Sequence, residues 1–111
     1  MTGRDFEVLW SEVAIRDLDK IVDHIGKDAP GAAQKIFDKI KKASESLATL
    51  PLRGRSVPEL ARFEIASYRE LLIPPYRLLY RIGESMVLVV AVFDGRRDLE
   101  SVVLSRLLGV Y

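Results

Sequence analysis

The residues of this chain that are best suited to chemistry are the arginines of its second half. Nine arginines and no lysine lie between Arg53 and Arg106, whereas every lysine lies between Lys20 and Lys42. A guanidinium group is planar and forms paired hydrogen bonds with phosphate or carboxylate, so this asymmetry indicates an anion-facing surface in the C-terminal half. The alternative is that these arginines are ordinary solvated residues of surface strands.

The sequence offers no other evident catalytic set. It has no cysteine and one histidine, which excludes thiolate chemistry, a disulfide framework and a histidine-rich metal site. It shows no glycine-rich phosphate loop and no nucleophile with a histidine base, so we expect no metal and no cofactor. Arginines can still stabilise the pentavalent phosphate that forms when a 2′-hydroxyl attacks RNA. They could equally bind an acidic partner.

Length and composition favour one soluble domain over residues 1–111. The chain is 49% hydrophobic, which is enough to fill a single core, and its net charge is only +1. The N-terminus lacks the apolar stretch of a signal peptide, and no apolar run approaches the roughly 20 residues that span a bilayer. We therefore expect a cytoplasmic protein without a membrane partner.

The N-terminal half begins with a strand and a helix. Phe6, Val8 and Trp10 alternate on one face of the stretch "FEVLWS", which is typical of a half-buried strand. Ser11 is a suitable cap for a helix that continues at helical spacing to a stop at Gly26.

A second helix completes an αα-hairpin. Asp28 is its predicted cap, Pro30 lies in its first turn, and its apolar stripe extends to Leu50. Proline and glycine then interrupt the pattern, so residues 51–60 are predicted to form a loop or a short irregular edge segment.

The C-terminal half favours three strands and a last helix. Strand-like residues 63–73 and 76–82 are divided by two prolines, and the continuous apolar run 86–93 predicts a central strand. Asp98 is the predicted cap of a helix over 99–108. The predicted fold is α+β with the order β-α-α-β-β-β-α, in which an antiparallel sheet carries the helical hairpin on one face and leaves the other partly open.

Strand alternation predicts which arginines share the open face. Arg77 and Arg81 are four residues apart on one strand, about 13 Å at the usual rise per residue. Arg69 is expected beside them across the proline connection, and Arg96 with Arg97 at the rim of the sheet. The sequence thus predicts a basic cleft.

Several of these residues also have a purely structural interpretation. Arg81 could form a surface ion pair with Glu70 or Glu84, which would contribute under about 1 kcal/mol. Tyr76 and Tyr80 are expected to be core aromatics whose hydroxyls find a partner. His24 is expected to be a solvated helix residue.

The order of elements, the stretch "YRELLIPPYRLLYRI" and the stretch "VLVVAVFDGRRDLES" together resemble the RelE/ParE superfamily of bacterial toxins from type II toxin-antitoxin modules. The resemblance covers nearly the whole chain. It implies a cognate antitoxin that forms a hetero-oligomer with this chain. The antitoxin's C-terminal segment would wrap the toxin, with the amphipathic last helix and the open sheet face as docking places.

The ribosome-dependent RNase branch of the superfamily is similar to this chain at some active positions. The basic positions that match are Arg69, Arg77, Arg96 and Arg97. The RNase branch has a second basic residue two positions after the one that Arg69 matches, and this chain has Leu71 there. The branch also has a tyrosine in its last helix, at a position near Val103 of this chain. If the chain is RelE-like, the resemblance implies that Arg69, Arg77 and Arg97 are catalytic and that ribosome-bound mRNA is the substrate.

ParE-like members poison DNA gyrase, and they resemble this chain in the Gly-Arg-Arg-Asp turn and the longer helical hairpin. This branch is the favoured interpretation, and mRNA cleavage is the alternative. A third interpretation is a non-toxic member retained as an antitoxin-binding module. In each case the target-binding candidates are the same arginines: Arg69, Arg77, Arg81, Arg96 and Arg97.

Overall fold

A five-stranded sheet forms the centre of the molecule. The computed structural model describes residues 5–61, 67–96 and 100–102. The strands are, in chain order, β1 (Glu7–Trp10), β2 (Arg55–Ser56), β3 (Tyr68–Ile73), β4 (Tyr76–Ile82) and β5 (Met86–Asp94). In space they lie in the order β1-β5-β4-β3-β2.

The predicted α+β fold is confirmed, including the meander of three late strands. β3, β4 and β5 pair in antiparallel fashion, while β1 pairs with β5 in parallel, so the sheet as a whole is mixed. A parallel pair needs a long connection, and here residues 11–85 separate β1 from β5. β5 therefore has a neighbour on each side, as its apolar run predicts.

The helical hairpin begins as the sequence predicts. The first helix, α1 (Glu12–Gly26), is capped by Ser11, whose hydroxyl accepts a hydrogen bond from the backbone N–H of Ala14 at 3.1 Å.

The side chains of Phe6, Val8 and Trp10 are half-buried against the main core, which confirms the predicted face of β1.

The second helix, α2 (Pro30–Glu45), differs from the prediction at both ends. Its cap is Ala29, without a side-chain hydrogen bond, so the prediction of Asp28 as the cap was wrong. Pro30 is the first helical residue, where a missing N–H costs nothing and a fixed φ suits the helix. At the other end α2 passes into a single 3-10 turn, Ser46–Ala48, and Leu50 is 59% exposed instead of continuing the apolar stripe.

The main core lies between the hairpin and one face of the sheet. Helix residues Ala14, Leu18 and Ile40 pack there against the inward side chains of β4 and β5. The fully buried sheet residues of this core include Leu78, Tyr80, Val87 and Val89. Burial of such side chains is the dominant favourable term in folding.

The opposite face of the sheet is covered only in part, as expected, because Leu72 and Arg81 on this face remain exposed. A short helix, α3 (Pro58–Ala61), lies over it, and Val57 and Leu60 are buried against Leu79, Ala91 and Phe93. Residues 51–60 therefore contain the edge strand β2 and all but the last residue of α3. Apolar side chains from the predicted loop supply a second, smaller core.

A buried carboxylate accepts a hydrogen bond from the edge of β5 beyond the end of β1. The ladder between β1 and β5 ends where Trp10 pairs with Val89. Beyond that point the backbone N–H of Val92 donates to the carboxylate of Asp17 on α1 at 3.1 Å. Asp17 is 8% exposed, so a helix side chain here replaces a strand as the hydrogen-bond partner of β5.

The part of the chain that the structure describes holds no helix long and apolar enough to cross a bilayer. Residues 100–102 are helical, as the predicted last helix requires. Four residues named in the sequence analysis lie outside the described residues: Arg97, Asp98, Val103 and Arg106. The same holds for residues 63–66 of the predicted strand 63–73 and for residues 99 and 103–108 of the predicted last helix.

Candidate functional site

Arg77 is the centre of a buried ion network on the second face of the sheet. Arg77 is only 7% exposed to solvent. Its Nε donates to Glu70 of β3 at 2.7 Å, and its two terminal nitrogens donate to the carboxylate oxygens of Glu59 on α3 at 2.9 and 2.8 Å. Arg77 thus joins β3, β4 and α3 in one set of charge-assisted hydrogen bonds.

Glu70 is shared between two arginines. Its side chain is fully buried, and its second oxygen accepts from Nε of Arg55 at 2.6 Å, while the Arg55 side chain is 53% exposed. The network contains two arginines and two glutamates, so its formal net charge is zero. A buried charge costs several kcal/mol unless it is paired, so this neutrality is what makes burial of Glu70 tolerable.

The remaining surfaces of Arg77 are also in contact with protein. Its guanidinium carbon lies 5.6 Å from the centroid of the Phe93 ring, the geometry of a cation-π contact. A Cβ atom at Gly95 would lie 3.2 Å from Cδ of Arg77 and 3.2 Å from the carbonyl oxygen of Pro75. A side chain at this position of the Gly-Arg-Arg-Asp turn would therefore crowd the Arg77 stem and the Pro75 carbonyl, and one of them would have to shift by a few tenths of an ångström.

Electrostatics hold Arg77 in its charged form. Burial alone would lower its pKa, but the hydrogen bonds and charges of Glu59 and Glu70 outweigh this effect and raise the pKa above its usual value. For an anionic ligand to bind Arg77, it would have to displace a carboxylate from it.

Arg69 does not lie beside Arg77, which corrects the predicted cleft. β3 and β4 are joined by a two-residue turn that pairs Ile73 with Tyr76, and the register then pairs Arg69 with Tyr80 and Leu72 with Arg77. Arg69 therefore lies on the hairpin side of the sheet, where it donates to the carbonyl oxygen of Gly54 at 2.7 Å. The β3 position that reaches Arg77 is the acidic Glu70.

The other predicted arginines lie apart from this network. Arg81 is exposed on β4, pairs in register with Tyr68, and forms no ion pair with the described residues. The guanidinium of Arg96 forms two hydrogen bonds with the Asp94 carboxylate, at 3.0 and 2.6 Å, and its side chain is 78% exposed. These contacts with Asp94 raise the pKa of Arg96.

Tyr80 fixes the loop that precedes β2, as expected for a core aromatic with a hydrogen-bonded hydroxyl. The hydroxyl accepts from the N–H of Gly54 at 3.0 Å and donates to the carbonyl of Pro51 at 2.7 Å. Burial raises its pKa, against the opposing effects of the Gly54 bond and of Arg69 and Arg53. A Cβ at position 54 would lie 2.5 Å from this hydroxyl, so the site requires glycine.

The sequence analysis did not select the acidic partners of Arg77, which are Glu59 and Glu70, or the arginines Arg53 and Arg55 of the predicted loop. Glu59 was treated as part of a loop, and Glu70 was considered only as a surface partner of Arg81. A signal for Glu70 was present, because a turn of two prolines assigns Leu72 and Glu70 to the face of Arg77. No pattern indicated Glu59, whose position depends on how α3 packs against the sheet.

Comparison with known families decides the assignment of the chain. The model of the ParE toxin of the type II toxin-antitoxin system parDE matches residues 8–99. The chain belongs to the ParE toxin family of the RelE/ParE superfamily. The toxin is also 37% identical over 92 residues to Toxin RelE2 of Caulobacter vibrioides, an alignment that covers 82% of this chain and 97% of that protein.

One further relative and two solved structures are similar to the toxin, and the two structures carry both branch names. The putative toxin Y4kP of Sinorhizobium fredii is 36% identical over 81 residues, which cover 71% of this toxin and 78% of the relative. The toxin is also similar in fold to a chain of the chromosomal ParDE system of P. aeruginosa, with a TM-score of 0.67, 22% identity and coverage of 83% and 98% of the two chains. A chain of the toxin-antitoxin complex RelBE2 of Mycobacterium tuberculosis has a TM-score of 0.57, 26% identity and coverage of 84% and 94%.

Proposed function

We propose that this type II toxin acts in the manner of the ParE branch, by poisoning DNA gyrase, and that a cognate antitoxin neutralises it. The observation that carries the proposal is the pairing of Arg77 with Glu59 and Glu70. An RNase of the RelE type would need that arginine to face the scissile phosphate. In this toxin the guanidinium N–H groups of Arg77 donate instead to carboxylates of the same chain.

The neighbours of Arg77 support the same proposal. The β3 side chain that contacts Arg77 is Glu70, whose negative charge opposes the approach of a phosphodiester, and Arg69 lies on the other side of the sheet. Arg81 and Arg96 remain as exposed cations on β4 and after β5. Of the five arginines that the sequence predicts as target-binding residues, we retain Arg81, Arg96 and Arg97.

The second candidate function is cleavage of ribosome-bound mRNA. The observation that favours it is the 37% identity to Toxin RelE2 of Caulobacter vibrioides. In that case Arg69, Arg77 and Arg97 would be the catalytic residues, and Arg77 would have to leave Glu59 when mRNA binds.

Expression of the toxin without an antitoxin separates the candidates. We expect growth arrest with DNA breaks that disappear in cells carrying a toxin-insensitive gyrase, while the 5′ ends of bulk mRNA stay unchanged. Arg96→Gln, which removes an exposed charge without touching the core, should weaken the arrest. Rapid mRNA cleavage at ribosomes would show that the alternative is correct, and absence of any arrest would favour a non-toxic binding module.

A further inference from the structure

Three lysines of α2 lie on one exposed stripe of the helix. Lys35, Lys39 and Lys42 are four and three residues apart, so their side chains follow one another on the same side, about 5–6 Å from neighbour to neighbour. All three are exposed, and none forms an ion pair with a residue that the structure describes. The acidic residues of α2, Asp38 and Glu45, are seven residues apart and lie on a neighbouring stripe.

The lysine stripe leads to Arg53. Ser46 follows Lys42 by four residues and continues the stripe, and its hydroxyl accepts a hydrogen bond from the guanidinium of Arg53 at 2.7 Å. Lys39 is one helical turn from Ala43, which lines a cleft of about 240 Å³ together with Arg53. The loop arginine and the helix lysines therefore lie on the same side of the molecule. These four cations form the basic row: Lys35, Lys39, Lys42 and Arg53.

A rigid apolar tip adjoins the basic row. Leu50 and Leu52 are 59% and 66% exposed, more than any other large hydrophobic residue that the structure describes. The Tyr80 hydroxyl donates to the carbonyl oxygen of Pro51 between them at 2.7 Å. The backbone N–H of Arg53 donates to the carbonyl oxygen of Leu50 at 3.1 Å. The tip thus presents its leucines in a fixed position, so little entropy is lost when a partner binds them.

The two features together match duplex DNA. A row of unpaired cations fits a regular polyanion, whereas Arg77 and Arg96 each bind a carboxylate of their own chain. Proteins that bend DNA combine such cations with leucine or proline side chains that enter the minor groove and separate two base steps. The minor groove of duplex RNA displays 2′-hydroxyls, which leucines do not match, and a membrane anchor needs a larger apolar face than two leucines.

We propose that α2 lies along the phosphate backbone of duplex DNA through the basic row, and that Leu50 and Leu52 enter the adjoining minor groove as a wedge. The inference goes beyond the proposed function, because this binding requires neither gyrase nor an antitoxin. It also assigns the anion-binding role to lysines of the N-terminal half, which the sequence analysis did not select.

Fluorescence anisotropy of the purified toxin with a short labelled DNA duplex tests the basic row. The logarithm of the association constant should fall against the logarithm of salt concentration with a slope of about −3.6, as expected for four phosphate contacts. The double variant Lys39→Gln and Lys42→Gln should lower this slope by about two and weaken binding about tenfold. The matched control is Lys41→Gln, an exposed lysine of the same helix that lies 5.9 Å from the Phe37 ring, and it should leave both values unchanged.

A fluorescent adenine analogue at the centre of the duplex tests the wedge, since its emission rises when the base is unstacked. We expect the wild-type toxin to raise the emission. Leu52→Asn should abolish most of the rise while the salt slope stays unchanged, because the basic row is intact. Ile15→Asn replaces a residue of α1 that is 48% exposed and should leave the rise as it is.

Three results would overturn the proposal. They are equal DNA binding by the double lysine variant and Lys41→Gln, an undiminished rise in emission with Leu52→Asn, and tighter binding of single-stranded RNA or phosphatidylglycerol vesicles through the same residues. Every substituted side chain is exposed, so the variants keep the fold. The assay contains no gyrase, so a failed gyrase experiment and a failed DNA-binding experiment remain distinct results.

Discussion

Replacement of Arg77 by methionine tests the interpretation that this arginine is structural. Methionine keeps the length and apolar stem of the side chain but leaves Glu59 and Glu70 without their shared partner. Loss of one member of a buried ion pair costs about 3–5 kcal/mol. Arg55 still neutralises Glu70, so we expect the lower end of that range, about 3 kcal/mol.

Such a loss is large against the stability of a small domain. Domains of this size unfold with about 5–15 kcal/mol, and 3 kcal/mol corresponds to a fall in Tm of about 10–20 °C. The assay is urea unfolding of the refolded toxin, followed by circular dichroism. Glu59→Gln, which removes the partly exposed partner, should cost about 1–2 kcal/mol.

The matched control is Arg96→Met, because Arg96 makes the same type of bidentate pair at the surface. Its side chain is 78% exposed, so we expect an effect below about 1 kcal/mol. Equal stability of the Arg77 and Arg96 variants would refute the reasoning. So would a stable Arg77→Met protein that has lost only an RNA-cleaving activity.

Three further substitutions test the framework of the site. Tyr80→Phe should cost about 1–3 kcal/mol at neutral pH through two lost hydrogen bonds. Burial raises the pKa of Tyr80, so the unfolded state ionises first as pH rises above about 10, and wild-type stability should decline there more steeply than that of Tyr80→Phe. Gly54→Ala should lower Tm strongly because its Cβ would lie 2.5 Å from the Tyr80 hydroxyl, whereas Gly31→Ala, with nothing within 4 Å, should leave Tm unchanged or raise it. Asp17→Ala should destabilise the fold by about 1–3 kcal/mol and increase hydrogen exchange at Val92, and unchanged exchange would contradict the role of that carboxylate.

The sequence predicted the elements of the fold well because their signals are local. The period of β1, the Ser11 cap and the continuous apolar run of β5 each depend on neighbours within a few residues. The parallel pairing of β1 was not predicted, since no local pattern specifies which strand it joins. The packing of α3 on the second face was missed because α3 has only four residues and follows a stretch that proline and glycine interrupt.

The site was predicted less well because it depends on register. Alternation correctly grouped Arg69 with Leu71 and Ile73, but the choice of face for this group needs the pairing of Ile73 with Tyr76. A shift of one residue moves every side chain to the other face, and here it exchanges a basic neighbour of Arg77 for an acidic one. Counting arginines therefore overestimated the basic character of the cleft.

The most direct test of the central claim combines the purified toxin with DNA gyrase and supercoiled plasmid, and in parallel with ribosomes that carry an mRNA. We predict that gyrase-dependent cleaved plasmid accumulates with toxin, that the antitoxin prevents this accumulation, and that the mRNA stays intact. Cleavage of the ribosome-bound mRNA with no effect on gyrase would contradict this prediction.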